Sequence, residues 1–197
     1  MGSMTKANRP SKEEHFMNRA RVVAELSTCA KRKVGAIIIK DGVEISSGYV
    51  GSPRGSDHCI DKGFCYRRWA GIPSGSNYEL CKSVHAEQNA IINAARVGVS
   101  VVGGQMYIYS EKQPKFYDKK AQKPDPYGPC VICKREIINA GIETVVMREG
   151  TSAPQTLSLD KVKEFLLQEE DQRRREYASP GNAEALPPSA DESLIAE

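Results

Sequence analysis

The sequence predicts a three-layer α/β/α fold in which a mixed central sheet lies between helices. Short runs rich in β-branched residues alternate with longer segments whose apolar residues recur at helical spacing. From the first segment to the last, these patterns give the order α-β-β-α-β-α-β-α, which is typical of a sheet covered by helices on both faces. At 197 residues the chain has the length of one domain with a substantial core.

The first half of the predicted fold is a helix followed by a β-hairpin. Ser11-Lys12-Glu13-Glu14 has the pattern of a capping box, so a helix is predicted from Ser11 to about Thr28. The β-branched run Val34–Ile39 predicts a strand, and Asp41-Gly42 is a hairpin turn signal. The returning strand is predicted over Val43–Val50.

The second half is predicted to alternate helices and strands, with long polar loops at residues 51–83 and 111–128. Apolar residues at helical spacing follow His85, and Gly141 stops the helix that begins after Pro129. The predicted elements are a helix from His85 to about Val97, a strand over Gln105–Tyr109, a helix over Cys130–Ile138 that Gly141 stops, a strand over Thr144–Met147 and a helix from Leu157 to about Tyr177.

Both ends of the chain are expected to lie outside the folded domain, which we place at residues 5–177. Met1-Gly2-Ser3 precedes a second methionine and is expected to be an expression scar. Residues 178–197 are rich in Pro, Ala, Ser and acidic residues, a composition that predicts a disordered tail.

Charge and hydropathy narrow the class of protein. The net charge of +3 is small, so nucleic acid is not an expected partner. No run of about 18 apolar residues and no secretory signal are visible, so we expect a cytoplasmic protein without a membrane span. Six cysteines in such a chain favour thiolates that bind metal in a reducing compartment, with a disulfide framework as the alternative.

The most informative motif is His85-Ala86-Glu87, followed downstream by Pro129-Cys130-Val131-Ile132-Cys133. Zinc binds imidazole nitrogen and thiolate sulfur, and a catalytic zinc uses three protein ligands and keeps one position for water. His85, Cys130 and Cys133 supply three such ligands. Both sets are predicted at helix N-termini, where exposed N–H groups and the helix dipole favour thiolate over thiol.

Glu87 is the candidate acid/base, because it lies two residues beyond a metal ligand and is free to move protons. The combination H-x-E with P-C-x-x-C is a known signature of zinc-dependent nucleobase deaminases. A redox pair or a purely structural zinc site at Cys130 and Cys133 is the alternative.

A second group of metal-binding residues lies upstream. Four thiols are enough for a closed tetrahedral zinc site, which would order a loop that has little regular structure. The alternative is that some of them are ordinary buried cysteines. The group consists of Cys29, Cys59, Cys65 and Cys81, with His58 as an alternative ligand.

These residues resemble those of the deoxycytidylate (dCMP) deaminases within the cytidine deaminase-like superfamily, over roughly residues 12–148. The blocks with the most specific likeness are those around His85 and Cys130. The other matching segments are Ser27-Thr28-Cys29, Lys33-Val34-Gly35-Ala36, Gly48-Tyr49, Gly51-Ser52-Pro53, Gly55, His58-Cys59, Ile72-Pro73-Ser74-Gly75 and Glu79-Leu80-Cys81.

The resemblance implies a three-layer cytidine deaminase-like fold and the hydrolytic deamination of dCMP to dUMP and ammonia. Glu87 would accept the proton of the attacking water and then protonate N3 and the departing amine. The backbone N–H of Ala86 would hold the base carbonyl. The resemblance also implies one catalytic zinc, a nucleotide substrate and a homo-oligomer, typically a hexamer.

Two departures from the family pattern bear on the substrate. Val50 stands where the family usually has a substrate-contacting Asn, and Val makes no side-chain hydrogen bond. An uncompensated loss of this contact would cost about 1–3 kcal/mol. The lysine-rich insert at residues 111–128 is the second departure, and it is either a surface loop or a lid over the pocket.

These residues are consistent with three functions. The first is a dCMP deaminase, the second a specialised deaminase of a modified nucleotide or another amino-heterocycle, and the third a zinc-stabilised binding module without catalysis. Glu87 argues against the third, because a purely structural site needs no carboxylate there. The candidate phosphate contacts are Arg54, Arg67, Arg68 and Arg96.

Overall fold

The structure is a computed structural model that describes residues 9–73, 76–112 and 128–177. In these residues a five-stranded sheet lies between helices, as the three-layer prediction requires. The elements are α1 (Lys12–Ala24), β1 (Arg32–Lys40), β2 (Val43–Tyr49), α2 (Tyr66–Trp69), α3 (Ala86–Arg96), β3 (Gln105–Lys112), α4 (Val131–Asn139), β4 (Thr144–Glu149), β5 (Gln155–Ser158) and α5 (Leu159–Tyr177).

The sheet is mixed, which confirms the predicted fold class. Its strand order is β2-β1-β3-β4-β5. Strands β3 and β4 run parallel, and the other neighbouring pairs are antiparallel. The predicted hairpin turn between β1 and β2 is present, with Asp41 at φ 52° and Gly42 at φ 77°.

Alternating residues of β1 separate two apolar layers. Ala36 and Ile38 pack in the layer that includes residues of α3 and α4, whereas Ile37 and Ile39 pack with Met17 of α1. Because every second residue faces the same side of the sheet, the continuous apolar run of β1 supplies both layers.

Close packing holds α3 against β2. A Cβ atom on Gly48 would lie 2.3 Å from the backbone nitrogen of Ala90, so only glycine allows this approach. Ser46 Oγ donates to the carbonyl of Ala90 at 2.6 Å, and Asn93 Nδ2 donates to the carbonyl of Ser47 at 2.8 Å. These contacts fix the position of the N-terminus of α3 relative to the sheet.

Ion pairs link α4 to α5. Lys134 Nζ lies 2.7 Å from Glu169 Oε2, with the lysine side chain only 7% exposed. Arg135 and Glu170 form a second, more exposed pair at 2.7 Å. None of the helices in the described ranges combines the length and the apolar character that a membrane span requires.

Helix α1 ends at Ala24, so the predicted extension to Thr28 is wrong. The Ser27 hydroxyl accepts from the backbone nitrogen of Val34 at 3.0 Å and donates to its carbonyl at 3.1 Å. The backbone nitrogen of Thr28 donates to the carbonyl of Val50 at 3.0 Å. These bonds to the strands replace the helical hydrogen bonds that a longer helix would need.

Two further elements differ from the prediction. The late helix begins at Leu159 rather than Leu157, because Leu157 lies in β5, an edge strand that the sequence patterns did not indicate. The segment 51–83 is not wholly irregular, since it contains α2 and a 3₁₀ turn at Tyr78–Leu80. The predicted scar at 1–3, the predicted tail at 178–197 and residues 113–127 of the insert lie outside the described residues.

Candidate active site

The three predicted metal ligands lie together at the N-termini of two helices. His85 is the N-cap of α3, Cys130 is the N-cap of α4, and Cys133 lies in the first turn of α4. Their ligand atoms all lie within 4.8 Å of one another. His85 Nδ1 is 3.4 Å from Cys130 Sγ and 3.3 Å from Cys133 Sγ.

This spacing fits a zinc ion. Zinc binds sulfur at about 2.3 Å and imidazole nitrogen at about 2.0 Å, so a tetrahedral site separates the nitrogen and sulfur ligands by about 3.5 Å. The observed separations of 3.3 and 3.4 Å are close to that value. The donor set, one imidazole and two thiols, is also one that zinc prefers.

A side-chain bridge joins the two ligand-bearing helices. The backbone nitrogen of His85 donates to Gln88 Oε1 at 2.9 Å, and Gln88 Nε2 donates to Glu136 Oε1 at 2.8 Å. Glu136 Oε2 is buried and has no hydrogen-bond partner among the described residues. Gln88 and Glu136 therefore connect α3 to α4 directly behind the ligands, where such contacts set ligand orientation.

The ligand cluster stabilises a thiolate at Cys130. Its hydrogen bond with Cys133 and its contact with His85 lower the pKa of Cys130 to about 4, against the effect of burial. The hydrogen bond from Cys130 and burial raise the pKa of Cys133. Burial alone would lower the pKa of His85, but the hydrogen bond with Cys130 and the charge of Glu87 raise it to about 8.

Glu87 is buried beside the cluster, with 6% of its surface exposed. Burial raises the pKa of its carboxyl group above the ordinary value, although the nearby imidazole of His85 opposes the shift. A carboxyl group whose pKa is moved toward neutrality can both accept and return a proton, which suits general acid–base chemistry.

One pocket is lined by Glu87, by two of the three metal ligands, His85 and Cys130, and by three of the six predicted substrate contacts. Ala86 and Val50 are two of these contacts, and their role in substrate binding stays a prediction. The rest of its apolar wall comes from Val34, Ile108 and Met147. Four cationic residues also line it, namely Lys31, Arg32, Arg67 and Arg148.

Two of these cations have carboxylate partners. Arg32 donates to Ser110 Oγ at 2.8 Å and to Glu149 Oε1 at 3.3 Å. Arg148 binds Glu14 of α1 through two hydrogen bonds of 3.0 and 2.7 Å. The pocket therefore has a polar end at the carboxyl ends of β3 and β4.

Arg67 reaches the pocket from the segment 51–83. Its guanidinium lies 5.4 Å from the centre of the Tyr78 ring, and the Tyr78 ring meets the His85 ring edge-on at 5.8 Å. Arg67 donates to the carbonyl oxygens of Pro73 and Ser76, which are uncharged acceptors. This segment therefore forms one wall of the pocket, in direct contact with a predicted metal ligand.

The other predicted phosphate contacts lie elsewhere. Arg54 is exposed and donates to Asn93 Oδ1 at 3.1 Å, and Arg96 is exposed in the last turn of α3. Neither residue, nor Arg68, is among the described residues that line the pocket. Their role in substrate binding stays a prediction, whereas Arg67 is at least in the expected place.

The second cysteine group is less compact. Cys29, Cys59, Cys65 and Cys81 are half-buried free thiols, and His58 is exposed. Among the described residues, only His85, Cys130 and Cys133 form a set of three ligands within 4.8 Å. Burial raises the pKa of Cys29, and the charges of Cys81 and Cys65 raise it further, so these thiols lie within electrostatic reach.

Several pocket residues were not indicated by the sequence. Ser110 and Glu149 lie at the carboxyl ends of β3 and β4, and the outer ends of parallel strands are a common location of ligand sites. This location at the ends of parallel strands would have allowed Ser110 and Glu149 to be predicted from the sequence. Lys31, Arg32, Tyr78, Ser83 and Arg148 carried no comparable sequence signal.

Comparison with protein families agrees with this geometry. The family profile described as "Cytidine and deoxycytidylate deaminase zinc-binding region" matches residues 10–149. That range includes all three ligands, Glu87 and the whole pocket wall.

Individual relatives support the same grouping. The chain is 30% identical over 175 residues to a deoxycytidylate deaminase of Schizosaccharomyces pombe, covering 89% of this chain and 47% of that protein. It is 33% identical over 144 residues to a deoxycytidylate deaminase of Mycobacterium phage D29, covering 71% and 95%. It is 32% identical over 141 residues to ComE operon protein 2 of Bacillus subtilis, covering 72% and 61%. The chain thus spans about half of the yeast relative and about three-fifths of the B. subtilis relative.

A solved structure shares the fold. The dCMP deaminase of cyanophage S-TIM5, in complex with dCMP and dUMP, aligns with a TM-score of 0.51 at 22% identity. The alignment covers 83% of this chain and 94% of the phage chain. At this identity the likeness concerns the fold alone.

Proposed function

The chain belongs to the cytidine and deoxycytidylate deaminase family, and from that premise we propose that it hydrolyses a cytosine nucleotide, converting dCMP to dUMP and ammonia. One observation carries the proposal. A buried carboxylate, Glu87, lines the same pocket as His85 and Cys130, two of the three residues whose ligand atoms all lie within 4.8 Å of one another. A structural metal site has no use for such an acid/base, whereas a hydrolytic deaminase requires one.

Five residues of the site have roles in this reaction. Zinc held by His85, Cys130 and Cys133 would supply Lewis-acid activation of water. Glu87 accepts the proton of the attacking water and delivers protons to N3 and to the departing amine. A C4–O bond forms, the C4–N bond breaks, and the amine leaves as ammonia. The N–H of Ala86, in the first turn of α3, binds the base carbonyl because helical bonding leaves it unused.

The charge of the pocket supports a nucleotide rather than a free nucleoside. Four cationic residues line it, and Arg67 donates to the carbonyl oxygens of Pro73 and Ser76, which carry no opposite charge. Guanidinium groups bind phosphate oxygens through paired hydrogen bonds. We therefore assign the phosphate to the end of the pocket that contains Arg67.

A second candidate is a specialised deaminase of a modified nucleotide. Val50 supports it, because the side chain is buried in the pocket wall and offers no hydrogen bond where relatives usually have Asn. The insert at 111–128 supports it through its sequence alone, since residues 113–127 lie outside the described residues.

We further propose that Cys29, Cys59, Cys65 and Cys81 bind a second, structural zinc. Support comes from the electrostatic proximity of Cys65 and Cys81 to Cys29, and from a second cleft that Cys59 and Cys81 line together. Metal binding can itself draw such ligands into place, because a closed zinc site contributes folding free energy.

Two broader expectations belong to the same proposal. By resemblance, the protein is a cytoplasmic homo-oligomer, with a hexamer as the expected state. Gel filtration with light scattering would test the oligomeric state.

A substrate panel tests the function. The zinc-loaded protein is incubated with dCMP, dCTP, CMP, cytidine and adenosine, and ammonia release is measured. We expect dCMP to have the highest kcat/KM and cytidine to be much poorer, because the latter lacks the phosphate. Ammonia release from none of the five would contradict a dCMP deaminase and favour the specialised deaminase or the non-catalytic module.

A further inference from the structure

The hydroxyl group of Ser83 is an unpaired polar group in the wall of the pocket. The residue is only 8% exposed, and Ser83 Oγ is buried with no hydrogen-bond partner within residues 9–73, 76–112 and 128–177. It lines the same pocket as His85, Glu87 and Val50. Buried polar side-chain atoms nearly always have a partner, so an unpaired one facing a ligand pocket points to a group of the ligand or to water.

A short backbone pairing places Ser83 diagonally across from Val50. Gly51 and Val84 form an antiparallel bridge through hydrogen bonds of 3.1 and 2.8 Å. In such a bridge the flanking residues lie opposite each other with their side chains on one face. Val50 therefore lies opposite His85, and Ser52 lies opposite Ser83.

The same pairing sets the distance of Ser83 from the metal ligands. Ser83 and His85 are two residues apart in extended backbone, which corresponds to roughly 6.5–7 Å. In a cytosine nucleotide the sugar is attached at N1, across the ring from the reacting C4. When C4 lies at the ligand cluster, Ser83, two residues before His85, lies near the sugar rather than near the reacting end of the base.

We propose that Ser83 Oγ hydrogen-bonds the 3′-hydroxyl of the substrate sugar and supplies the polar contact that Val50 cannot make. This inference rests on the proposed deamination of dCMP, whose sugar carries no other free hydroxyl. Ser83 is then a specificity-determining residue. Substrate binding then gives the Ser83 hydroxyl a hydrogen-bond partner, which it lacks among the described residues. The same hydrogen bond recognises the sugar and removes the cost of burying an unpaired hydroxyl group.

The contact is tested by removing the 3′-oxygen of the sugar and, separately, the Oγ atom of Ser83. The substrates are dCMP and its 2′,3′-dideoxy analogue, and the variants are Ser83→Ala and Ser52→Ala. Ser52 is the matched control, because its Oγ is also buried without a partner but it does not line the pocket.

For the unaltered protein, we expect kcat/KM to be about tenfold higher for dCMP than for the dideoxy analogue, which corresponds to about 1.4 kcal/mol. Ser83→Ala should abolish this preference by slowing dCMP alone, with an unchanged melting temperature. Ser52→Ala should retain the preference. Adding Val50→Asn to Ser83→Ala should restore part of it, since the amide can replace the hydroxyl.

The outcomes separate this inference from the function on which it rests. If the unaltered protein deaminates dCMP and Ser83→Ala keeps its preference for the 3′-hydroxyl, Ser83 binds only water and the inference is overturned while the function stands. If the unaltered protein deaminates neither nucleotide, the proposed function and this inference fall together.

Discussion

The two groups of cysteines in this chain differ in how far the fold assembles them. Cys130 and Cys133 lie with His85 in a compact set, all ligand atoms within 4.8 Å of one another. Within the described ranges, Cys29, Cys59, Cys65 and Cys81 do not contribute to any such set of three. The difference shows that position on a packed helix, rather than the number of thiols, determines which ligands the fold brings together.

The physical reason lies in what anchors each group. Helix α3 is held to β2 by the contact at Gly48, and α4 is held to α5 by the Lys134–Glu169 pair. The Gln88–Glu136 bridge then joins the two helices beside the ligands. In the described part of the segment 51–83, by contrast, helical structure is limited to the four-residue α2 and the 3₁₀ turn at Tyr78–Leu80. Metal binding is expected to supply the missing order there.

The largest expected effect comes from Glu87 in the compact group. Glu87→Gln keeps the shape of the side chain but removes the base, and general acid–base catalysis contributes about 10²–10⁴-fold to rate. We expect kcat to fall by at least that factor while zinc content and melting temperature are retained. Normal turnover of dCMP by this variant would show that another group moves the protons.

Zinc content tests the looser group. Elemental analysis should find about two zinc ions per chain, because the residues allow one three-ligand and one four-ligand site. Cys65→Ser should lower the content to about one and lower the melting temperature, while Cys130→Ser should remove the other ion with loss of activity. About one zinc in the unaltered protein, unchanged by Cys65→Ser, would leave the upstream cysteines as ordinary thiols.

The bridge behind the ligands provides a subtler test. Gln88→Leu removes both hydrogen bonds and leaves Glu136 buried without a partner, and loss of such outer contacts typically costs about 10–100-fold in metal affinity. Release of zinc to a chromophoric chelator should be faster by a similar factor. Gln172→Leu, a substitution on α5, is the control. Equal release rates in all three proteins would show that the bridge does not hold the ligands.

The smallest effect is expected between α4 and α5. Glu169→Gln leaves the buried ammonium of Lys134 without its carboxylate and should lower the free energy of unfolding by about 1–3 kcal/mol. Glu170→Gln alters the neighbouring, exposed pair with Arg135 and should cost less than about 1 kcal/mol. Urea denaturation of both variants measures the difference, and equal losses would contradict the assignment of Lys134 as a buried partner.

Low pH should weaken the ion pair between Lys134 and Glu169. Burial alone would raise the pKa of Glu169, but hydrogen bonds from Lys134 and Arg173 lower it overall. A lowered pKa in the folded state means that its contribution is present at neutral pH and is lost as the pH falls below the ordinary range of a glutamate. The gap in stability between the unaltered protein and Glu169→Gln should therefore narrow in acid.

The sequence predicted the catalytic end of the pocket better than its substrate end. His85, Glu87 and Cys130 are recognisable because helix N-termini and fixed ligand spacing leave a local signal. Tyr78 and Ser83 reach the pocket only through the path of the segment 51–83, which has no periodic sequence pattern. Strand β5 was missed for a related reason, since four residues with one buried side chain produce too little alternation.

The same limit explains the boundaries that were wrong. Helix α1 stops at Ala24 because Ser27 and Thr28 bond to Val34 and Val50, partners that are distant in sequence. Local propensity contains no information about such partners. The contacts of Arg32 with Glu149 and of Arg148 with Glu14 of α1 likewise join residues that are distant in sequence.

We propose that the compact ligand group and Glu87 form a hydrolytic deamination site. The most direct test quantifies dUMP by chromatography and ammonia by an enzymatic assay after the zinc-loaded protein has been incubated with dCMP. We expect equal amounts of dUMP and ammonia from the unaltered protein and neither product from Cys130→Ser. Intact dCMP after incubation with fully zinc-loaded protein, or undiminished conversion by Cys130→Ser, would contradict it.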